Sequence, residues 1–462
     1  MLDQDTAQRI FNVVRRYSTG DGVEAIIAGG HSALTRFANN TIHQNMAEEQ
    51  YQLSVRALFG QRTARATSNK LDEESIRRAV LAAESLARVQ QPDPDMLPLA
   101  APELAQGGPV VPARSFSSTA AMTPDDRAAA VGKVVAVARR NQLTTAGVVA
   151  SSHSAECILN SQGLVAWHEQ TMAEVSVTML GEDSSGWQKA TSPDVTVLDP
   201  EMLAEVAAQK ALDSAHPREL APGKCAVILE PAAVLDLLGF MFFDFGGQAI
   251  LDQRSFLNNR LGTQVFGENI TIYDDVYHPL QAGAPFDGEG VRRKRVQLVV
   301  RGAVKNLVYA RHTAEKMKKS EYAARVGRIE TTGHGFPLPN EMGDAPMHIV
   351  IDSGLPSAHR SVEQMIAETP RGVLVTRLWY IREVDPYEKI LTGMTRDGTF
   401  YIEDGRVRHG LRNFRFNESL VSMLNGVETM SAPVRSSGEE SFDMVVPAMK
   451  VKDFNFTEVT KF

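Results

Sequence analysis

The sequence predicts an α+β protein: an α/β N-terminal half of two strand–helix units, then a large β-rich C-terminal domain holding a buried central helix. Three observations predict it. Amphipathic helices alternate with strand runs twice before residue 222, and from Gly223 onward the chain becomes a succession of long β runs. The third is Leu229–Ile250, LEPAAVLDLLGFMFFDFGGQAI, the most apolar run of the chain. Pro231 can open a helix there, where its missing N–H costs nothing. Ala232, Val234, Leu235, Leu237, Leu238, Met241 and Phe242 then read as a helix apolar nearly all round, as a buried helix must be. Gly246 and Gly247 are expected to stop it. At about 13–15 residues it is too short to span a bilayer, which needs about 20.

In chain order, Thr6–Tyr17 has helical spacing at Ile10, Val13, Val14 and Tyr17, and Gly20 and Gly22 end it. Val23–Gly29 reads as a strand, and Ser32–Asn45 as a strand turning at Asn39-Asn40, residues that tolerate left-handed backbone. Tyr51–Gly60 alternates Leu53, Val55, Ala57 and Phe59 with polar residues, as a half-buried strand does. Asp72 caps the next helix, with Ile76, Val80, Ala83 and Leu86 on one stripe. Gln90–Ala121 is rich in Pro, Gly, Ala and Ser and reads as a linker or wrapping arm. Thr123 caps a helix with Pro124 in its first turn. Strand-like runs at Val148–Leu159, Gly163–His168 and Ala173–Leu180 follow, and Asp199-Pro200 starts a helix that ends before His216-Pro217. In the C-terminal half, Asp404-Gly405 marks a hairpin, and Ser361 with Gln364 forms a capping box for SVEQMIAET. The expected division is 1–90, an arm at 91–121, 122–222, and 223–462.

Composition bounds the function. At roughly 150 residues per domain, 462 residues allow two to three domains. The net charge of −8 argues against a nucleic-acid surface, which needs a basic face. Two cysteines, Cys157 and Cys225, suit a reducing compartment and build neither a disulfide framework nor a zinc knuckle. The start, MLDQDTAQRIF, shows no secretory pattern, and no window is apolar enough for a membrane. The expectation is a cytoplasmic protein whose partners include no nucleic acid and no membrane.

Common catalytic motifs are absent: no P-loop, no GxSxG elbow, no HExxH. Cys157 and Cys225 sit in apolar strand runs and read as inert core thiols. His312 and Glu315 have helical spacing but lack a third ligand. Asp274-Asp275 reads as a strand-end pair, and Arg292-Arg293-Lys294-Arg295 as a solvated hairpin edge. His334, in a Gly-flanked loop, is a candidate cleft residue. Arg396 and Asp397 in GMTRDGTF are either a structural ion pair or peptide contacts.

Longer stretches carry a resemblance. RFANNTIHQN (Arg36–Asn45), LDEESIRRAV, SFLNNRLGTQVFGENITIYDD (Ser255–Asp275), FDGEGVRRKRVQLVVRGAVKNLVYARHTAEK (Phe286–Lys316), TGMTRDGTFYIEDGRV (Thr392–Val407) and NFRFNESL (Asn413–Leu420) resemble the TldD/PmbA family, also called TldD/TldE and once described as modulators of DNA gyrase. The resemblance implies a cytoplasmic proteolytic system. In it, TldD-type subunits bind zinc through HExxxH on a helix and a later Cys, while PmbA/TldE-type subunits lack these ligands and pair with them around unfolded or extended peptides. Aligned to that motif, Gly239 stands for the first His, Phe240 for the Glu and Asp244 for the second His, and no Cys follows Cys225. The resemblance therefore implies a non-catalytic, PmbA/TldE-like subunit with no cofactor of its own and zinc in a TldD-like partner. Two other readings remain: a self-sufficient hydrolase using His334, Arg396 and Asp397, or a homodimeric peptide-binding scaffold.

Overall fold

The structure is a computed structural model that describes residues 1–354 and 359–460. It begins with a helix, Gln4–Tyr17, whose Thr6 N–H is capped by the Asp3 carboxylate. Strands β1 (Gly22–Ala38), β2 (Thr41–Phe59) and β3 (Arg62–Ser68) follow, then the helix Glu73–Val89. After the arm the same order recurs: helix Pro124–Arg140, strands β4 (Thr144–Asn160), β5 (Val165–Leu180) and β6 (Ser185–Ser192), helix Pro200–Asp213. The six strands form one antiparallel sheet in the order β3-β2-β1-β4-β5-β6. The two units are thus halves of one sheet with an approximate two-fold relation. His31 is the tenth residue of β1 and His153 the tenth of β4, and the two face each other across the seam.

Local signals hold where the physics is local. Asp72, Thr123 and Asp199 cap their helices as expected, Thr123 in a capping box with Asp126. Asn39 and Asn40 take left-handed φ of 49° and 59° at the hairpin turn. Strand lengths differ from expectation. The chain does not break at Gly29-Gly30, because β1 runs straight through. A Cβ on Gly29 would lie 2.6 Å from the Tyr51 ring, so glycine serves close packing there rather than a turn. In the helix Glu73–Val89, Ala79 and Ala87 complete the buried stripe and Leu86 is exposed.

The C-terminal part contains β7 (Gly223–Leu229), β8 (Thr271–Asp274), β9 (Val296–Val300), β10 (Ala303–Val304), β11 (Ile349–Asp352), β12 (Arg371–Asp385), β13 (Ile390–Glu403), β14 (Arg406–Gly410), β15 (Phe414–Ser419), β16 (Val427–Met430), β17 (Val434–Ser436), β18 (Met444–Val446) and β19 (Met449–Val459). One sheet runs β10-β9-β8-β11-β18-β17, the other β12-β7-β19-β15-β13-β14. The β13–β14 turn is at Asp404-Gly405, both at positive φ. The Ser361–Gln364 capping box opens the helix Val362–Ala367. The largest apolar core gathers both sheets around Leu229–Ile250, including Leu237, Phe242, Leu298, Ile351, Val375 and Phe416.

The central helix is shorter than expected. The α-helix spans Pro231–Leu238; Gly239–Phe245 tightens into a 3₁₀ turn, and a short helix resumes at Gly247–Leu251. Gly239 is the poorest helix former in the run apart from Pro, and the aromatic residues after it favour helix only weakly. The tighter turn points Met241, Phe242 and Phe245 inward and leaves Phe243 44% exposed. Each fully buried Leu or Phe here contributes roughly 1.5–3 kcal/mol.

Candidate functional site

The segment from Asp236 to Asp244 stands where the resemblance places chemistry. Pro231 occupies the first turn, and every residue from Ala232 to Leu238 is buried. Asp236 is the one charge in that helix. Its Oδ1 accepts from the N–H groups of Glu439 (3.2 Å) and Glu440 (3.0 Å), while Oδ2 has no partner. Burial pushes this carboxyl up to about 7. The two bonds tie the segment Gly438–Ser441 over the helix end. A Cβ built on Gly239 would overlap both Oγ and Cβ of Ser441, so position 239 has no room for an imidazole.

At the other end of the turn, Asp244 is buried and its carboxylate meets Lys389 Nζ at 2.7 Å. Lys389, itself 4% exposed, sits in the β12–β13 hairpin, and also meets Glu383 at 2.7 Å and donates to the Phe240 carbonyl at 3.3 Å. The Phe256 N–H donates to Asp244 Oδ1 at 3.1 Å. Burial raises the Asp244 carboxyl and Lys389 pulls it back. Of the Asp244 oxygens, Oδ2 is therefore committed to a lysine and Oδ1 to a backbone N–H. No described group of three or more His, Cys, Asp or Glu side chains is placed to hold a metal. Gly239, Phe240 and Asp244 do not fit zinc, which asks for four ligands of the His, Cys or carboxylate type, or three with a water. Beside the turn opens a pocket of about 580 Å³ lined by Gly239, Phe240, Phe243, Glu439 and Glu440, and Phe243 stacks on Phe336 at 6.3 Å.

The other candidates are dispersed. His334 is not a cleft residue: it is 2% exposed, its Nδ1 lies 2.9 Å from the Thr332 carbonyl, and its Nε2 lies 2.9 Å from Asp274 Oδ1. Asp274 also accepts from the N–H groups of Met347 and His348, both at 2.7 Å. Burial opposes its ionisation, but His334, His348 and Arg293 outweigh that and hold it well below the usual carboxylate range. Burial and Arg293 drive His348 down to about 3. Asp397 binds the buried Arg377 (Nε at 2.8 Å), and Arg377 lies over the rings of Trp187 and Trp379. Arg396 stacks on Trp379 at 4.5 Å and lies 3.5 Å from Asp397. This cluster joins the N-terminal sheet, through Trp187 of β6, to the β12–β13 pair. His334 belongs to a separate cluster around β8, so the three residues do not form one constellation.

Of the lesser candidates, Asp275 pairs with Arg295 and Glu315 with Lys318. Arg292 and Arg293 are not a solvated edge: they donate to the Pro109, Phe286 and Gly333 carbonyls and clamp loops together. Burial raises Cys157 to about 12 and Cys225 to about 11, as expected of inert thiols. Sequence reading missed Lys389, Glu383 and Arg377, which look like surface charges in hairpins. A signal for Asp236 was available: a lone carboxylate inside an apolar helix.

Comparisons with known proteins bear on the family and the fold. Three family models, described as PmbA/TldA metallopeptidase domain 1, central domain and C-terminal domain, match residues 23–87, 114–215 and 222–458. The chain is 23% identical to "Metalloprotease PmbA" of Escherichia coli over 420 residues, covering 86% of this chain and 85% of that protein. It is 21% identical to a "Metalloprotease PmbA homolog" of Haemophilus influenzae over 86% of this chain and 85% of that one. The solved structure of TldE from Thermococcus kodakarensis superposes with a TM-score of 0.85 at 21% identity, over 98% of this chain and 100% of that chain.

Proposed function

The chain belongs to the PmbA/TldD metallopeptidase family, and on that premise we propose that it is a non-catalytic subunit that works with a zinc-bearing, TldD-like partner on unfolded or extended peptides. One observation carries the reading: the positions of the zinc motif are closed by this chain's own side chains, with Ser441 against Gly239 and Lys389 on Asp244. Amide hydrolysis by a zinc enzyme needs an ion that lowers the pKa of a bound water and an open coordination position. The Gly239–Asp244 turn offers no ligand set, and Ser441 leaves no room for an imidazole at position 239. What remains is a scaffold that can position a peptide and complete a chamber. No described helix is long and apolar enough to cross a membrane, and the proposal places the complex in the cytoplasm.

The test is reconstitution. The chain alone, a TldD-like subunit alone and the two mixed are assayed on an unfolded peptide. Cleavage that needs the mixture, and that disappears when the HExxxH glutamate of the partner is replaced by glutamine, is the expected result. Cleavage by this chain alone would overturn the proposal.

A further inference from the structure

The N-terminal sheet has one strand edge covered and its counterpart bare. β6 pairs with β5 only from Ala173 to Leu180, and β3 pairs with β2 only from Leu53 to Phe59. Each long strand therefore continues past its short neighbour. On β5 the arm takes up part of the remaining edge: the Thr171 N–H donates to the Arg114 carbonyl at 2.8 Å, the Phe116 N–H to Thr171 Oγ1 at 3.0 Å, and the Ser115 hydroxyl to Glu169 at 3.0 Å. On β2 the edge from Thr41 to Gln52 has β1 on one side and, among the described residues, no strand or backbone hydrogen bond on the other. Most of its side chains are exposed on both faces. A cleft of about 1120 Å³ opens at its inner end, where β3 turns away, lined by Gln50, Tyr51, Gln52, Thr67, Lys70 and Arg78 among others.

Bare edges are templates for another strand, and proteins usually blunt them with Pro, Lys, bulges or a covering loop. Thr41–Gln52 has no Pro, Lys or Arg, and its one bulge against β1, at His43, lies at the turn end of the edge. It carries Ile42 and Met46, 38% and 45% exposed, and the adjacent carboxylates Glu48 and Glu49. We propose that the Thr41–Gln52 edge of β2 receives an extended, neutral or basic peptide as an added strand, as the equivalent edge of β5 receives the arm. Main-chain hydrogen bonds supply affinity without reading sequence, which suits varied unfolded chains. The carboxylates favour a basic peptide, and they disfavour a second copy of this chain, whose own Glu48 and Glu49 would join the same seam. This assignment rests on the peptide-handling function proposed above and names where the peptide lies.

The experiment is amide hydrogen exchange on the full chain. The probe is a synthetic peptide as long as the edge, alternating threonine and valine with a lysine at each end. Two further probes carry N-methyl groups on either the threonines or the valines. An added strand uses every other N–H, so one methylated probe should still bind and the other should fail. The plain probe should slow exchange within Thr41–Gln52 by about tenfold or more, and one methylated probe should leave it unchanged. The double variant Glu48→Lys/Glu49→Lys should weaken the plain probe several-fold.

Three results overturn the edge: protection elsewhere but not at Thr41–Gln52 with the probe bound, equal binding of all three probes, or protection that rises with chain concentration in the absence of peptide, which would mean that a second copy covers it. If the mixed complex cleaves peptides while Thr41–Gln52 stays unprotected, the edge assignment falls and the subunit function stands. If probe protects the edge but no mixture cleaves, the subunit function falls and the edge stands.

Discussion

The turn Gly239–Asp244 and the strand edge Thr41–Gln52 treat the same problem in opposite ways. At the turn, the positions that the resemblance aligns with a zinc motif are filled from within: Ser441 packs on Gly239, and Lys389 sits between Asp244 and Glu383. Along the edge, backbone groups that could pair meet no partner strand among the described residues. The first region spends side chains on closure and should be intolerant of change. The second has little packed against it and should tolerate substitution. The difference separates stability from binding within one molecule, and it can be broken or sharpened by mutation.

The largest effect is expected at Lys389. Lys389→Met leaves Asp244 buried without its cation, and removing one partner of a buried pair costs about 3–5 kcal/mol. Urea unfolding measures it. Adding Asp244→Asn should recover a large part of the loss, because the stranded charge is then gone. A loss below about 1 kcal/mol would mean the pair is not the buried closure described here.

Acid and base limbs come next, with opposite signs at two buried groups. His348 titrates near 3 when folded, below its ordinary value of 6.5. The unfolded chain therefore takes up a proton first, and this contribution to stability, complete above 6.5, is lost as pH falls from 6.5 toward 3, at about 1.4 kcal/mol per unit. His348→Gln should flatten that limb. Asp236 titrates near 7 when folded, above its ordinary 3.8. Its burial costs nothing below 3.8 and most above 7, so Asp236→Asn should gain on the wild type as pH rises across that window, by at most about 4 kcal/mol. Melting temperatures from pH 4 to 8 check both.

Gly239→His tests the closed position directly. The new side chain has to displace Ser441, and overpacking of this kind costs about 1–3 kcal/mol. Zinc titration of that variant should show no tight site, since one His and a lysine-bound Asp244 do not make a ligand set. Arg396→Ala should cost no more than about 1 kcal/mol, the worth of a half-exposed stack on Trp379. Met46→Ser, on the open edge, should stay within about 0.5 kcal/mol.

Legibility in the sequence followed the range of the physics. Helix caps at Asp72, Thr123 and Asp199, the Asn39-Asn40 turn and the Asp404-Gly405 hairpin depend on a few adjacent residues, and each was readable. Gly29-Gly30 misled because a glycine needed for the approach of Tyr51 looks like one needed for a turn. The fusion of the two units through β1 and β4 depends on residues over a hundred positions apart, such as His31 and His153, and leaves no local trace. At the candidate site, the reading of Gly239, Phe240 and Asp244 as emptied motif positions rests on the resemblance alone. Lys389 was not: a lysine in a hairpin reads as solvated until Asp244, Glu383 and the Phe240 carbonyl are brought around it. His334 misled in the opposite direction, as glycines on both sides suggested an open loop while Asp274 holds it in the core.

The central claim is that this chain supplies shape while a partner supplies the metal. Elemental analysis of the purified chain, of a TldD-like partner and of their complex, after dialysis against micromolar zinc, tests it most directly. Zinc is expected in the partner and in the complex, in proportion to the partner alone, and none that tracks this chain. Stoichiometric zinc in the isolated chain, lost on replacing Asp244, would contradict it.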